Sequence, residues 1–102
     1  MKNIIAAASF YKKSYFYNEE DFSTLPFYIK KDVQAILTEM SESLQGISLL
    51  GFDEDGNLKI KAQSQEDDYN FDELRAKYMI NSIIEEEGEL LKSIELWYTL
   101  LK

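Results

Sequence analysis

The 102-residue chain contains neither cysteine nor histidine, so any chemistry would fall to its carboxylates, lysines, tyrosines and serines. This composition removes thiolate nucleophiles, the commonest general base and nearly every ligand set that zinc or copper takes. The carboxylates gather in short runs at Asp53-Glu54-Asp55, at Glu66-Asp67-Asp68 and at Asp72-Glu73. The first run, followed by Gly56 and Asn57, has the look of a calcium loop and fails as one. With Gly56 as the sixth loop position, the first position falls on Gly51 and the twelfth on Ala62, where an acid and a bidentate glutamate are required. The other two runs have the charge to hold a hard cation, but acidic runs at the ends of elements are usually solvated. The sequence shows no glycine-rich phosphate loop, nucleophile elbow or internal repeat. No catalytic, cofactor-binding or metal residue is therefore assigned, and no cofactor is expected.

Net charge is −8, and it is unevenly spread: residues 1–51 hold five basic and six acidic groups, residues 52–102 six and thirteen. Such a field repels phosphate, so neither nucleic acid nor an anionic membrane is an expected partner. Lys12 and Lys13, set among aromatic residues, could suggest a platform for single-stranded nucleic acid, and the acidic field opposes that too. The opening Met1-Lys2-Asn3-Ile4-Ile5-Ala6-Ala7-Ala8 superficially resembles a signal peptide. Its apolar run is too short, a strand explains it better, and the expectation is a cytoplasmic protein. No stretch is long enough to cross a bilayer.

The elements follow from periodicity. Residues 4–17 hold two apolar stretches split by Lys12-Lys13-Ser14, which predicts a hairpin or one bent strand. Eight of the fourteen aromatic residues precede position 29, supplying bulk for strand faces under helices. A polar connection follows, with Ser23 or Thr24 as a possible cap and Pro26 in the first turn of a helix over about residues 25–44. Phe27, Ile29, Val33, Ile36, Leu37, Met40 and Leu44 form its apolar face, and Gln45-Gly46 ends it, glycine suiting a left-handed turn. Residues 47–52 and 58–65 read as strands joined by the Asp-Gly turn of a hairpin. The predicted fold is one α+β domain over 1–102, an antiparallel sheet of about four strands with two helices in the order β-β-α-β-β-α. At this length such a chain buries roughly 65% of its unfolded surface without staples.

The last helix carries the functional expectation. Over residues 71–101, Ile80, Ile83, Leu90, Ile94, Trp97 and Leu101 fall in alternating steps of four and three with Glu87 in the one missing slot, and Ile84, Leu91 and Tyr98 repeat one position further round. A straight helix of that span is roughly 45 Å long against a domain diameter of roughly 33 Å. It must break near Gly88, or its overhang must pack on a second copy. The second outcome is favoured because an exposed Trp97-Tyr98 tip is unusual on a monomer. Ile83, Leu90, Ile94, Trp97, Tyr98 and Leu101 are the candidate interface of a non-catalytic interaction module, a homodimer or a subunit of a larger assembly. The alternative is a small-molecule binder or small enzyme with a pocket between sheet and helix, using tyrosines and carboxylates. Its motivation is the seven tyrosines, together with Asn81 and Ser82 in an otherwise apolar helix.

Four stretches carry a resemblance: Ser9-Phe10-Tyr11-Lys12-Lys13-Ser14-Tyr15, Phe52-Asp53-Glu54-Asp55-Gly56-Asn57-Leu58, Glu66-Asp67-Asp68-Tyr69 with Asp72-Glu73, and Glu89-Leu90-Leu91 through Trp97-Tyr98. In them the chain resembles an uncharacterised family of small bacterial cytosolic proteins, a domain of unknown function, over nearly its whole length. That resemblance implies no activity and no site residue. In topology, the helix and hairpin between Lys30 and Ala62 look like those of roadblock-type modules, which dimerise and serve as platforms for small GTPases. No diagnostic motif accompanies that likeness, and no partner follows from it.

Overall fold

The computed structural model describes residues 3–64 and 71–101. Its elements are β1 (Asn3–Ser9), β2 (Ser14–Tyr17), α1 (Glu19–Phe22), α2 (Phe27–Leu44), β3 (Ile47–Phe52), β4 (Leu58–Gln63), α3 (Glu73–Glu86) and α4 (Gly88–Leu101). The fold is α+β, with one antiparallel sheet in the order β2-β1-β3-β4. Where two helices were expected there are three, plus the single turn α1.

Strand pairing lines up residues across the sheet. Tyr15, Ala8, Ser48 and Ala62 form one row; Tyr17, Ala6, Leu50 and Ile60 form the next. These rows face the helices, as the buried Ser48 shows by donating its hydroxyl to the carbonyl of Leu37 on α2 at 2.7 Å. The alternate row, Phe16, Ala7, Leu49 and Lys61, turns to the other face, and Phe16 is 58% exposed there. A register shift between Ile4 and Ala6 accompanies burial of both Ile5 and Ala6, and two adjacent residues sharing one face is what a β-bulge allows.

On α2, Ile29, Val33, Leu37, Met40 and Leu44 lie on one buried stripe, the four-and-three spacing of a helix lying on a sheet. Neither Ser23 nor Thr24 caps it. Pro26 stands at the cap position, and its carbonyl accepts from the N–H groups of Ile29 and Lys30. The left-handed residue that ends α2 is Gln45, at φ 53° and ψ 47°, rather than Gly46. The connection before α2 is also more ordered than expected, because Asn18 caps α1 by accepting from the N–H of Glu20.

The long C-terminal helix is replaced by two helices of fourteen residues each. Asp72 caps the first, accepting from the N–H of Arg75 at 3.0 Å; the other expected cap, Asn70, lies outside the described residues. Glu87, at φ −110° and ψ 27°, leaves the helical region and separates the two. Each piece is about 21 Å long, so both fit within the molecule's 40 × 26 × 25 Å extents. Gly88 is the poor helix former that makes the break inexpensive. Among the described residues no helix is long and apolar enough to cross a membrane.

Candidate functional site

The acidic hairpin is occupied by its own backbone. The Asp53 carboxylate accepts from the N–H groups of Asp55 and Asn57, each at 2.9 Å, while Gly56 takes φ 83° at the turn. The N–H of Asn57 above all, then that of Asp55 and the charge of Lys59, holds the Asp53 carboxyl below its ordinary pKa. Its job is to close the turn. Among the described residues no three carboxylates converge as a metal site would require; Glu66-Asp67-Asp68 lies outside them.

The six candidate interface residues divide. Ile94 is 0% and Tyr98 8% exposed; Tyr98 stacks on Phe52 with ring centroids 3.7 Å apart and planes 10° from parallel. Both belong to the chain's own core and expose little or no surface. Ile83, Leu90 and Trp97 are half-buried against that core. The Trp97 indole N–H donates to the Thr24 hydroxyl, pinning α4 to the segment before α2. Leu101 ends α4, and its side chain lies outside the described part.

What α4 leaves outside is a neighbouring stripe. Leu96 is 61% and Leu100 77% exposed. With Trp97 and Ser93 they form one wall of a groove of about 410 Å³, and Thr24, Leu25, Pro26 and Ile29 form the other. None of these lining residues is charged. Phe27 and Tyr28 are exposed on the same first turn of α2. The spacing of Ser93, Leu96, Trp97 and Leu100, three, four and seven apart from the first, was the signal available for this face.

A second concavity, of about 650 Å³, opens between the β1–β2 hairpin and the flank of α2. Phe10 and Tyr15 line it from the hairpin; Gln34, Thr38, Ser41 and Glu42 line it from the helix. A family model of unknown function (DUF6145) matches residues 2–102. The chain belongs to this DUF6145 family. No curated protein and no solved structure matches it. The whole-length resemblance to an uncharacterised family is thus met, and the family contributes no activity.

In this DUF6145 member the least comfortable polar atom is the Tyr15 hydroxyl, shut away from water with no hydrogen-bond partner among the described residues. Burial, aided by the nearby Tyr17, pushes its pKa up from 10.0 to about 12. A buried hydroxyl without a partner is destabilising, so Tyr15→Phe should raise the unfolding free energy by about 1 kcal/mol at neutral pH. The alkaline limb distinguishes the cause. Well below pH 10 both states keep the proton; as pH passes through 10 the unfolded chain releases its proton first, and stability falls as pH rises towards about 12. Urea unfolding of both proteins across that window should show a shallower decline for the phenylalanine variant.

Proposed function

We propose that the chain is a non-catalytic interaction module that forms a homodimer through the groove between α4 and the start of α2. The observation carrying this is the exposure of Leu96 and Leu100 beside a groove in which, among the described residues, no lining side chain is charged. With 19 acidic groups against 11 basic ones, two copies repel one another over most of their surfaces. An uncharged apolar patch is where they can meet with little penalty. A two-fold contact uses the same patch on both chains and closes on itself, setting the leucines of one copy into the groove of the other. The expected helix is retained as the contact element, with a different face of it turned outward.

Sedimentation equilibrium tests this. The native chain should run at twice 11.9 kDa. Leu100→Glu, which places a charge where two copies meet, should run as a single chain with an unchanged far-ultraviolet spectrum. A native protein that stays at 11.9 kDa at every concentration overturns the proposal.

A further inference from the structure

We propose that the cleft between the β1–β2 hairpin and α2 binds an uncharged, hydroxyl-rich ring, either a free monosaccharide or the sugar of a nucleoside. The inference is independent of the dimer and concerns a different part of the molecule.

The cleft arises from where α2 lies. The helix crosses β1 and β3, held over β3 by the bond from Ser48 to the Leu37 carbonyl. β2 is left at the margin. Of its two inward-row tyrosines, Tyr17 meets Phe22 of α1 at a centroid distance of 5.6 Å. Tyr15, nearer the turn, instead walls the open space. Across from it α2 presents Gln34, Thr38, Ser41 and Glu42, a polar stripe beside its apolar one. The volume, about 650 Å³, is within the range of small-molecule sites.

The lining selects the chemistry. Among the described residues its charged side chains are Lys13 and Glu42, one of each sign, so the cleft favours neither an anion nor a cation. The acidic field of the whole chain further opposes an anion. Hydroxyl and amide groups such as Thr38, Ser14 and Gln34 both donate and accept, as do the hydroxyls of a sugar. Two aromatic residues, Phe10 and Tyr15, offer flat apolar surface for the C–H face of such a ring. The Tyr15 hydroxyl, buried at the edge of this wall, lacks a partner among the described residues, and a ligand hydroxyl reaching it from the cleft supplies one.

The test is a two-dimensional amide NMR titration of the full chain with glucose and with adenosine, and with glutamate and inorganic phosphate as charged probes. Saturable shifts confined to the β1–β2 turn and residues 34–42 are expected with glucose or adenosine. Glucose alone marks a free sugar, adenosine alone a nucleoside. Tyr15→Phe should weaken the binding about fivefold or more while stabilising the fold, a combination that a packing role alone does not produce. Thr38→Val should weaken it with the melting temperature held. The proposal is overturned by an absence of shifts at about 10 mM, by shifts with the charged probes alone, by shifts elsewhere, or by binding that Tyr15→Phe leaves intact.

Discussion

Phe52→Ala should lower the unfolding free energy by about 3–5 kcal/mol, the range for emptying a fully buried aromatic site. Phe52 ends β3, paired with Asn3 on one side and Leu58 on the other. Its ring has no exposed surface and is the floor on which Tyr98 stacks. Removing it leaves a void beneath α4 that neighbouring strands, fixed by their hydrogen bonds, cannot close. A second signature should accompany the loss. Trp97 sits next to Tyr98, and its indole bond to Thr24 depends on α4 keeping its seat, so its fluorescence should shift to the red before global unfolding. Against a typical total of about 5–15 kcal/mol, the substitution consumes a large share of the stability. Phe16→Ala is the control: that ring is 58% exposed on the opposite face of the sheet, and its loss should amount to about 0.5 kcal/mol. Equal losses for the two would mean that α4 does not rest on Phe52.

The sheet and α2 were legible because their signals are local. Leu58, Ile60 and Ala62 alternate with Lys59, Lys61 and Gln63, and the Asp-Gly turn before them sets the register, so the hairpin could be read in place. The break near Gly88 was one of the two outcomes that the length mismatch allowed, and periodicity did not decide for it, for a structural reason. The N–H of Glu87 still bonds the Ile83 carbonyl, and the N–H of Leu91 bonds that of Glu87. Hydrogen bonds of helical spacing thus run up to Glu87 and on from it, so the interruption is confined to one residue and leaves little mark on the apolar periodicity. What turns the chain is remote in sequence: Ile94 and Tyr98 reach burial with residues such as Ile5 and Phe52. The single turn α1 was too short to show a period.

The same non-local packing explains the surface residues. A seam that looked too long for one body was assigned to a partner, yet once bent it found its own sheet. That removed Ile94 and Tyr98 from the surface and left Leu96 and Leu100 outside. Those two stand four apart, a spacing that could have been read beside the main stripe. The cleft at Tyr15 had no comparable signal. A pocket between sheet and helix was conceivable from the tyrosines, but its residues depend on how far α2 lies to one side of β2, which no segment of the chain encodes alone.

Gly46→Ala should cost about 1–3 kcal/mol, as overpacking does, although the residue is not the left-handed one. Gln45 takes that conformation. A β-carbon at position 46 would stand 2.6 Å from Cε1 of Phe71 and 2.8 Å from the carbonyl oxygen of Gln63. The phenylalanine ring can swing away; the carbonyl belongs to the last residue of β4 and cannot move without its strand. Gly46 also donates its N–H to the Ser41 carbonyl at the end of α2, and its own carbonyl accepts from Phe10 just after β1, both at 3.0 Å. Any shift that relieves the clash therefore strains the ends of three elements at once. Gly88→Ala separates this crowding from a general effect of glycine. Its β-carbon meets nothing within 4 Å, and at the first position of α4 the substitution gains a fraction of the roughly 1 kcal/mol that separates alanine from glycine in a helix interior. For a domain this small, each kcal/mol moves the melting temperature by roughly 4–8 °C, so the two variants should melt on opposite sides of the native protein. A Gly46→Ala variant melting with or above the native chain would show that the junction of α2, β1 and β4 has room to spare.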